Sequence, residues 1–176
     1  GFDADIVIYD PAGRTEIGVG KTHHMNMDHS AWEGFVIDGH VDTVSVIDLE
    51  TKPERVIDKV VVGDAPEGLA ISPTGKLAVA VLLRGSNNAK TEFFHNRNGS
   101  VVVLKIDGKK VTKVGEVEVR GLPEGAVFSP AGRWLYVGNF LDSDLSVLRV
   151  DGDTVTNTGT LVKLPGKPAS MRGRTL

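Results

Sequence analysis

The chain has 176 residues, 20 Lys and Arg against 23 Asp and Glu, a net charge of −3 and no cysteine. This leaves no basic footprint for nucleic acid and excludes disulfides, thiolate metal sites and cysteine nucleophiles, while deciding nothing between the cytosol and an oxidising compartment. No apolar run approaches the roughly 20 residues of a membrane-spanning helix, and 40% hydrophobic with 24% charged residues is the make-up of a globular domain with a real core.

The predicted elements are short strands in repeated units. Residues 4–20, with Ile6-Val7-Ile8-Tyr9-Asp10, read as two outer strands. Residues 22–63 open on Thr-His-His-Met-Asn-Met-Asp-His-Ser and continue through Phe35-Val36 and Thr43-Val44-Ser45-Val46-Ile47-Asp48 to Val56–Val62. Residues 66–119 open on Pro66-Glu67-Gly68 and pass the Ser72-Pro73-Thr74-Gly75 turn. Strands at Leu77–Leu82, Val101–Lys105 and Val114–Val119 follow, with a polar inserted loop at 84–98. Residues 123–164 repeat the pattern at an offset of 57, from Pro123-Glu124-Gly125 through Ser129-Pro130-Ala131-Gly132 to Trp134–Val137, Leu145-Ser146-Val147 and Thr158–Leu164. Residues 168–176 begin one more first strand, with Pro168 on Pro123 at an offset of 45. β-Branched residues fill the apolar runs and no helical period is sustained. Four short strands in a unit of about 40–45 residues predict an all-β fold, a β-propeller of four-stranded antiparallel blades.

The units resemble the YVTN-type propeller repeat. Trp134-Leu135-Tyr136-Val137-Gly138-Asn139 is similar to its name-giving segment, and Asp144-Leu145-Ser146-Val147 and Thr43–Asp48 to the strand that follows. The resemblance covers about residues 40–170 and implies a seven-bladed, lactonase-like ring. The chain holds about three and a half blades, whereas seven need on the order of 300 residues. Two readings follow: the C-terminal half of a longer protein whose N-terminal half is missing, or a homodimer closing one seven-bladed ring head to tail. We read the first, because Gly1 enters mid-blade and no Met precedes it.

The histidine stretch is tested by the repeat. An offset of 101 lays Thr22–Ser30 on Pro123–Ala131, so it is a first, channel-lining strand. Met25 and Met27 fall on apolar core positions. His24, Asn26 and Asp28 share the other face, about 6–7 Å apart, which is too far for one ion held at about 2.1 Å to bridge without a bend. A divalent metal on His23, His24, Asp28 and His29 is therefore the alternative to an expectation of no cofactor. His23 occupies the position of Glu67 and Glu124, and the three form part of a polar ring at one channel mouth. Asn139, like Asp38, either lines the channel or closes a turn, and Arg172 is an anion partner or a terminal charge. The ligand-binding set is thus His23, His24, Glu67, Glu124, Asn139 and Arg172. In the inserted loop, Phe93 and Phe94 suggest a contact surface or a loop folded back on the blade, and Asn98-Gly99-Ser100 matches an N-glycosylation acceptor, relevant to a eukaryotic secreted protein.

With no recognisable catalytic constellation, the first functional expectation is a scaffold binding a small molecule or a protein partner at the channel mouth. The resemblance implies the second, hydrolysis of a sugar lactone or related ester. In it Glu67 or Glu124 acts as general base on water, His23 shares the proton transfer and Arg172 steadies the carboxylate or oxyanion. The resemblance also implies a periplasmic or extracellular location.

Overall fold

The structure, a computed structural model, describes residues 43–165. Thr43–Asp48 (β1) and Arg55–Val61 (β2) pair as a two-stranded antiparallel sheet. Pro66–Ile71 (β3), Leu77–Leu82 (β4), Ser100–Asp107 (β5) and Lys110–Glu118 (β6) form a four-stranded antiparallel sheet in chain order. Pro123–Phe128 (β7), Trp134–Asn139 (β8), Asp144–Asp151 (β9) and Thr154–Lys163 (β10) repeat that meander. These are the outer half of one blade and two whole blades of a partial β-propeller. The readings of 4–20, 22–42 and 166–176 lie outside the described residues.

The turns follow from their residues. In Ser-Pro-x-Gly the glycines take left-handed φ values of 69° and 68° at Gly75 and Gly132, which a side chain would resist. Each serine closes its turn twice. Its carbonyl accepts from the glycine N–H, at 2.9 Å for Ser72 and 2.8 Å for Ser129. Its hydroxyl accepts from the N–H of the next strand's first residue, Leu77 or Trp134, at 3.1 Å in both. The third and fourth strands are joined by two-residue loops led by Gly108 and Gly152, with φ 57° and 58°. The fourth strands therefore begin as soon as the loop ends, at Lys110 and Thr154, four residues before the expected Val114 and Thr158.

Blade stacking explains the unbroken apolar runs. Along β4 alternate residues serve different cores. Ala78, Ala80 and Leu82 join Val44 and Val46 of β1, whereas Leu77, Val79 and Val81 join Leu135, Val137 and Leu148 of the following blade. A sheet covered on both faces reads as continuously hydrophobic rather than alternating, and every residue of β4 is buried. Each fully buried valine or leucine contributes about 1.5–3 kcal/mol of transfer free energy, so the middle blade carries most of the packing.

Candidate functional site at the mouth of the inner strands

Both inner strands enter from the same corner. Ala65 and Leu122, each just before Pro-Glu-Gly, have φ of 51° and 50°, a left-handed conformation unusual for residues with a Cβ. The corner is held by equivalent bonds in the two blades. Leu83 N–H donates to the Ala65 carbonyl and Phe140 N–H to the Leu122 carbonyl, both at 2.9 Å. Directly after it, pairing slips between Pro66 and Gly68 and again between Pro123 and Gly125. Such a bulge bends its strand and re-aims a side chain. Glu67 and Glu124 stand at these two slips, and both are exposed.

The two bulges adjoin. A Cβ built on Gly68 would stand 2.6 Å from the carbonyl oxygen of Glu124, so β3 and β7 approach as closely as their backbones allow. The structure thus brings together two of the expected ring residues, Glu67 and Glu124, at one end of neighbouring inner strands. The other positions named from the sequence, His23, His24, Asp28, His29 and Arg172, lie outside the described residues.

Asn139 is placed differently. It ends β8 and is 1% exposed. Its amide donates to Asp144 Oδ1 and Ser146 Oγ, each at 2.9 Å, and its oxygen accepts from Arg120 N–H at 3.2 Å. With both amide hydrogens engaged, the side chain closes the corner and has no donor left for a ligand.

Around Asn139 lies an ion cluster that sequence reasoning missed. Asp142 accepts from Arg97, from Arg120 Nη2 at 2.8 Å and from Gly121 N–H at 2.9 Å. The fully buried Asp144 pairs with Arg120 and with Lys163. Burial alone would raise the Asp142 carboxyl, but the hydrogen bonds from Arg97 and Gly121, with the nearby charge of Arg120, hold it below its ordinary value. Only the Asn-Phe-Leu-Asp-Ser-Asp composition after β8 hinted at the cluster. Its cations, Arg97, Arg120 and Lys163, are distant in sequence and follow no pattern.

Arg97 also ties down the inserted loop. The loop closes on itself, with Asn96 N–H donating to the Gly85 carbonyl at 3.4 Å and Asn96 Nδ2 to the Arg84 carbonyl at 2.7 Å. Ser86, 2% exposed, accepts from Leu122 N–H at 2.9 Å. The loop therefore packs on the corner that leads to Glu124. It holds out Phe93 and Phe94, 92% and 73% exposed, edge to face with ring centroids 5.0 Å apart.

A cavity of about 790 Å³ lies at the opposite end of the blades, lined among others by Ser72, Thr74, Lys76, Arg133 and Asp153. Ser72 on its wall lies five residues along the chain from Glu67, about 16 Å at 3.3 Å per residue, so it is not the mouth. Among the described residues no three His, Asp or Glu side chains gather as a metal ion would require, and no helix is long and apolar enough to cross a membrane.

No family model matches the chain. It is 30% identical over 135 residues to antigen Lp49 of Leptospira interrogans, covering 76% of this chain and 28% of that one. A second match, 57% identical, is to 44 residues of a D-hydantoinase of Streptomyces coelicolor and covers 25% of this chain and 9% of that one. Among solved structures, a candidate 6-phosphogluconolactonase of Bacteroides fragilis superposes with a TM-score of 0.58 at 19% identity, covering 73% of this chain and 35% of that chain. The chain thus spans about a third or less of the length of each protein it matches. At such identity the likeness is one of architecture, and it agrees with the blades described above: the fold is a partial β-propeller of the kind seen in lactonase-like proteins.

Proposed function

We propose that the chain is part of a propeller scaffold that binds a small polar ligand at the channel mouth, with Glu67 and Glu124 as hydrogen-bond acceptors. The observation that carries this reading is the repeated bulge, which sets two exposed carboxylates at the same end of adjacent inner strands. Carboxylates so placed suit a polyhydroxylated or cationic small molecule. His23, His24 and Arg172 belong to the same proposal from their sequence positions, and a protein partner at the mouth is its alternative form. Titration calorimetry with D-gluconate and D-glucono-1,5-lactone tests it. The wild-type chain is expected to bind one of them, and the Glu67→Gln/Glu124→Gln variant at least about 10-fold more weakly, which is about 1.4 kcal/mol. Equal affinity of the two chains would remove the glutamates from the site.

A second reading is lactonase-like hydrolysis, favoured by the architecture shared with the candidate 6-phosphogluconolactonase. In it Glu67 or Glu124 takes a proton from water, His23 shares the transfer and Arg172 steadies the developing anion. Acid release from D-glucono-1,5-lactone above its spontaneous rate, lost in Glu124→Gln or Glu67→Gln, separates turnover from binding alone. A divalent ion on His23, His24, Asp28 and His29 is the cofactor alternative, tested by metal analysis of untagged protein supplied with zinc. A periplasmic or extracellular location completes the proposal and is tested by cell fractionation.

A further inference from the structure

The end of the blades away from the glutamates also repeats a charge, of the opposite sign. Lys76 and Arg133 hold one repeat position, the residue between the Ser-Pro-x-Gly turn and the strand that follows. Their backbones are fixed alike. The Lys76 carbonyl accepts from Ile106 N–H at 2.8 Å and the Arg133 carbonyl from Val150 N–H at 3.0 Å, so each cation is tied to the third strand of its own blade. The two turns also touch, since a Cβ built on Gly132 would stand 3.6 Å from Pro73 Cδ. That contact brings residues of neighbouring blades onto one wall, and Lys76 and Arg133 both line the cavity of about 790 Å³ at this end.

The rest of the lining suits an anion. Arg149, near the end of β9, is a third cation in the wall. Among the described residues no ion pair engages any of the three. Of the two carboxylates in the lining, Asp153 is bound to Lys105 at 2.5 Å, which leaves Asp151 against three positive charges. Thr74 adds a hydroxyl. Leu77 N–H donates to Ser72 Oγ at 3.1 Å, and Ser72 Oγ lies 3.1 Å from Thr74 Oγ1. Lys76 N–H donates to the same threonine oxygen at 3.4 Å. When the serine hydrogen also points at that oxygen, the threonine hydrogen is left for a ligand. Leu77, 4% exposed, and Trp134, 40% exposed, supply apolar surface beside the charges. The volume falls among small-molecule pockets, which run from about 300 to about 1,000 Å³.

We propose that this cavity is a second binding site, for a small organic phosphate. The arginine fork and the lysine ammonium are charge-assisted donors suited to phosphate oxygens, and the apolar surface receives the ring that carries the phosphate. The two turns that place Lys76 and Arg133 belong to adjoining described blades, so the site stands apart from the glutamates and from the reading given to them.

Titration calorimetry of the 176-residue chain with AMP, and with adenosine as the uncharged control, tests the proposal. The wild type is expected to bind AMP, and to bind adenosine at least about 10-fold more weakly. Lys76→Gln/Arg133→Gln is expected to weaken AMP binding by at least about the same factor. Both side chains are exposed, so circular dichroism melts are expected to match the wild type. Asp151→Asn, which removes the remaining carboxylate, is expected to bind AMP more tightly. Absence of AMP binding at millimolar concentration, adenosine that binds as well as AMP, or wild-type affinity in the double variant overturns the proposal. So does binding in Asp151→Asn that is no tighter. Glu67→Gln/Glu124→Gln is expected to bind AMP as the wild type does, and a loss there would move the anion to the mouth and overturn its assignment to this cavity. Failure of AMP to bind leaves the ligand proposal at the mouth standing.

Discussion

At the scale of single residues, the corner around Asn139 shows how one repeat position changes chemistry between blades. Where the β7–β10 blade has Asn139, Asp144 and Ser146, the β3–β6 blade has Leu82, Ser100 and Val102. Leu82 and Val102 fill the space by apolar packing, whereas the later blade fills it with a bonded polar set. A polar set of this kind must be satisfied throughout, since one lost partner leaves the others buried and unmatched. Asp142 makes the cluster sensitive to acid. Its carboxyl is held below the ordinary aspartate value of 3.8, so its contribution to stability is fully present above that value and is lost as pH falls through the lower folded value. Urea unfolding at pH 7 and near pH 3 is expected to show a drop that is smaller in Asp142→Asn. At pH 7 that variant is expected to lose about 1.5–3 kcal/mol, the worth of hydrogen bonds to a charged group. An acid response unchanged by Asp142→Asn would locate the sensitivity elsewhere.

At the scale of elements, Gly68 and Gly125 are one repeat position in two surroundings. The Gly68 neighbour is backbone, which cannot swing aside as a side chain does. Gly68→Ala must part β3 from β7, and its expected cost is about 1–3 kcal/mol, the usual penalty of overpacking. Gly125→Ala is expected to change stability by less than about 0.5 kcal/mol, as exposed substitutions do. Denaturant midpoints of the two variants check the pair, and equal losses would mean that the inner strands do not touch as described. The same contact sets the spacing of β3 and β7 beneath Glu67 and Glu124, so the ligand binding proposed for these residues is expected to weaken in Gly68→Ala, read by the same calorimetry.

At the scale of the whole molecule, stability is distributed as in a repeat array, where each unit leans on its neighbours. β4 and β5 have both faces covered and partners on both edges. β2 and β10 are outermost strands and largely exposed. Hydrogen exchange followed by mass spectrometry is expected to be slowest over Leu77–Leu82 and Ser100–Leu104 and fastest over Arg55–Val61 and Thr154–Lys163, because opening is easiest where least is buried. Uniform protection across all ten strands would mean that the sheets open only as one unit.

The sequence by itself determined the blade. Unbroken β-branched runs, Ser-Pro-x-Gly and Asp-Gly turns and the 57-residue echo of Pro-Glu-Gly are local signals, written in neighbouring residues and therefore readable without a fold. Among the described residues they agree with the strands, apart from the early starts of β6 and β10, and they put Glu67 and Glu124 in equivalent places. Which positions face which neighbour was decided only by the tertiary structure. Asn139 was legible as the end of a strand but not as a buried residue bonded to Asp144 and Ser146. The Arg97–Asp142 and Arg120–Asp144 pairs join residues 45 and 24 apart in the chain. Nothing in Leu77 or Trp134 taken alone says that one is covered and the other half open. Packing between blades depends on which surfaces meet in space, and a repeat writes nearly the same residues whether or not a neighbour is there to cover them.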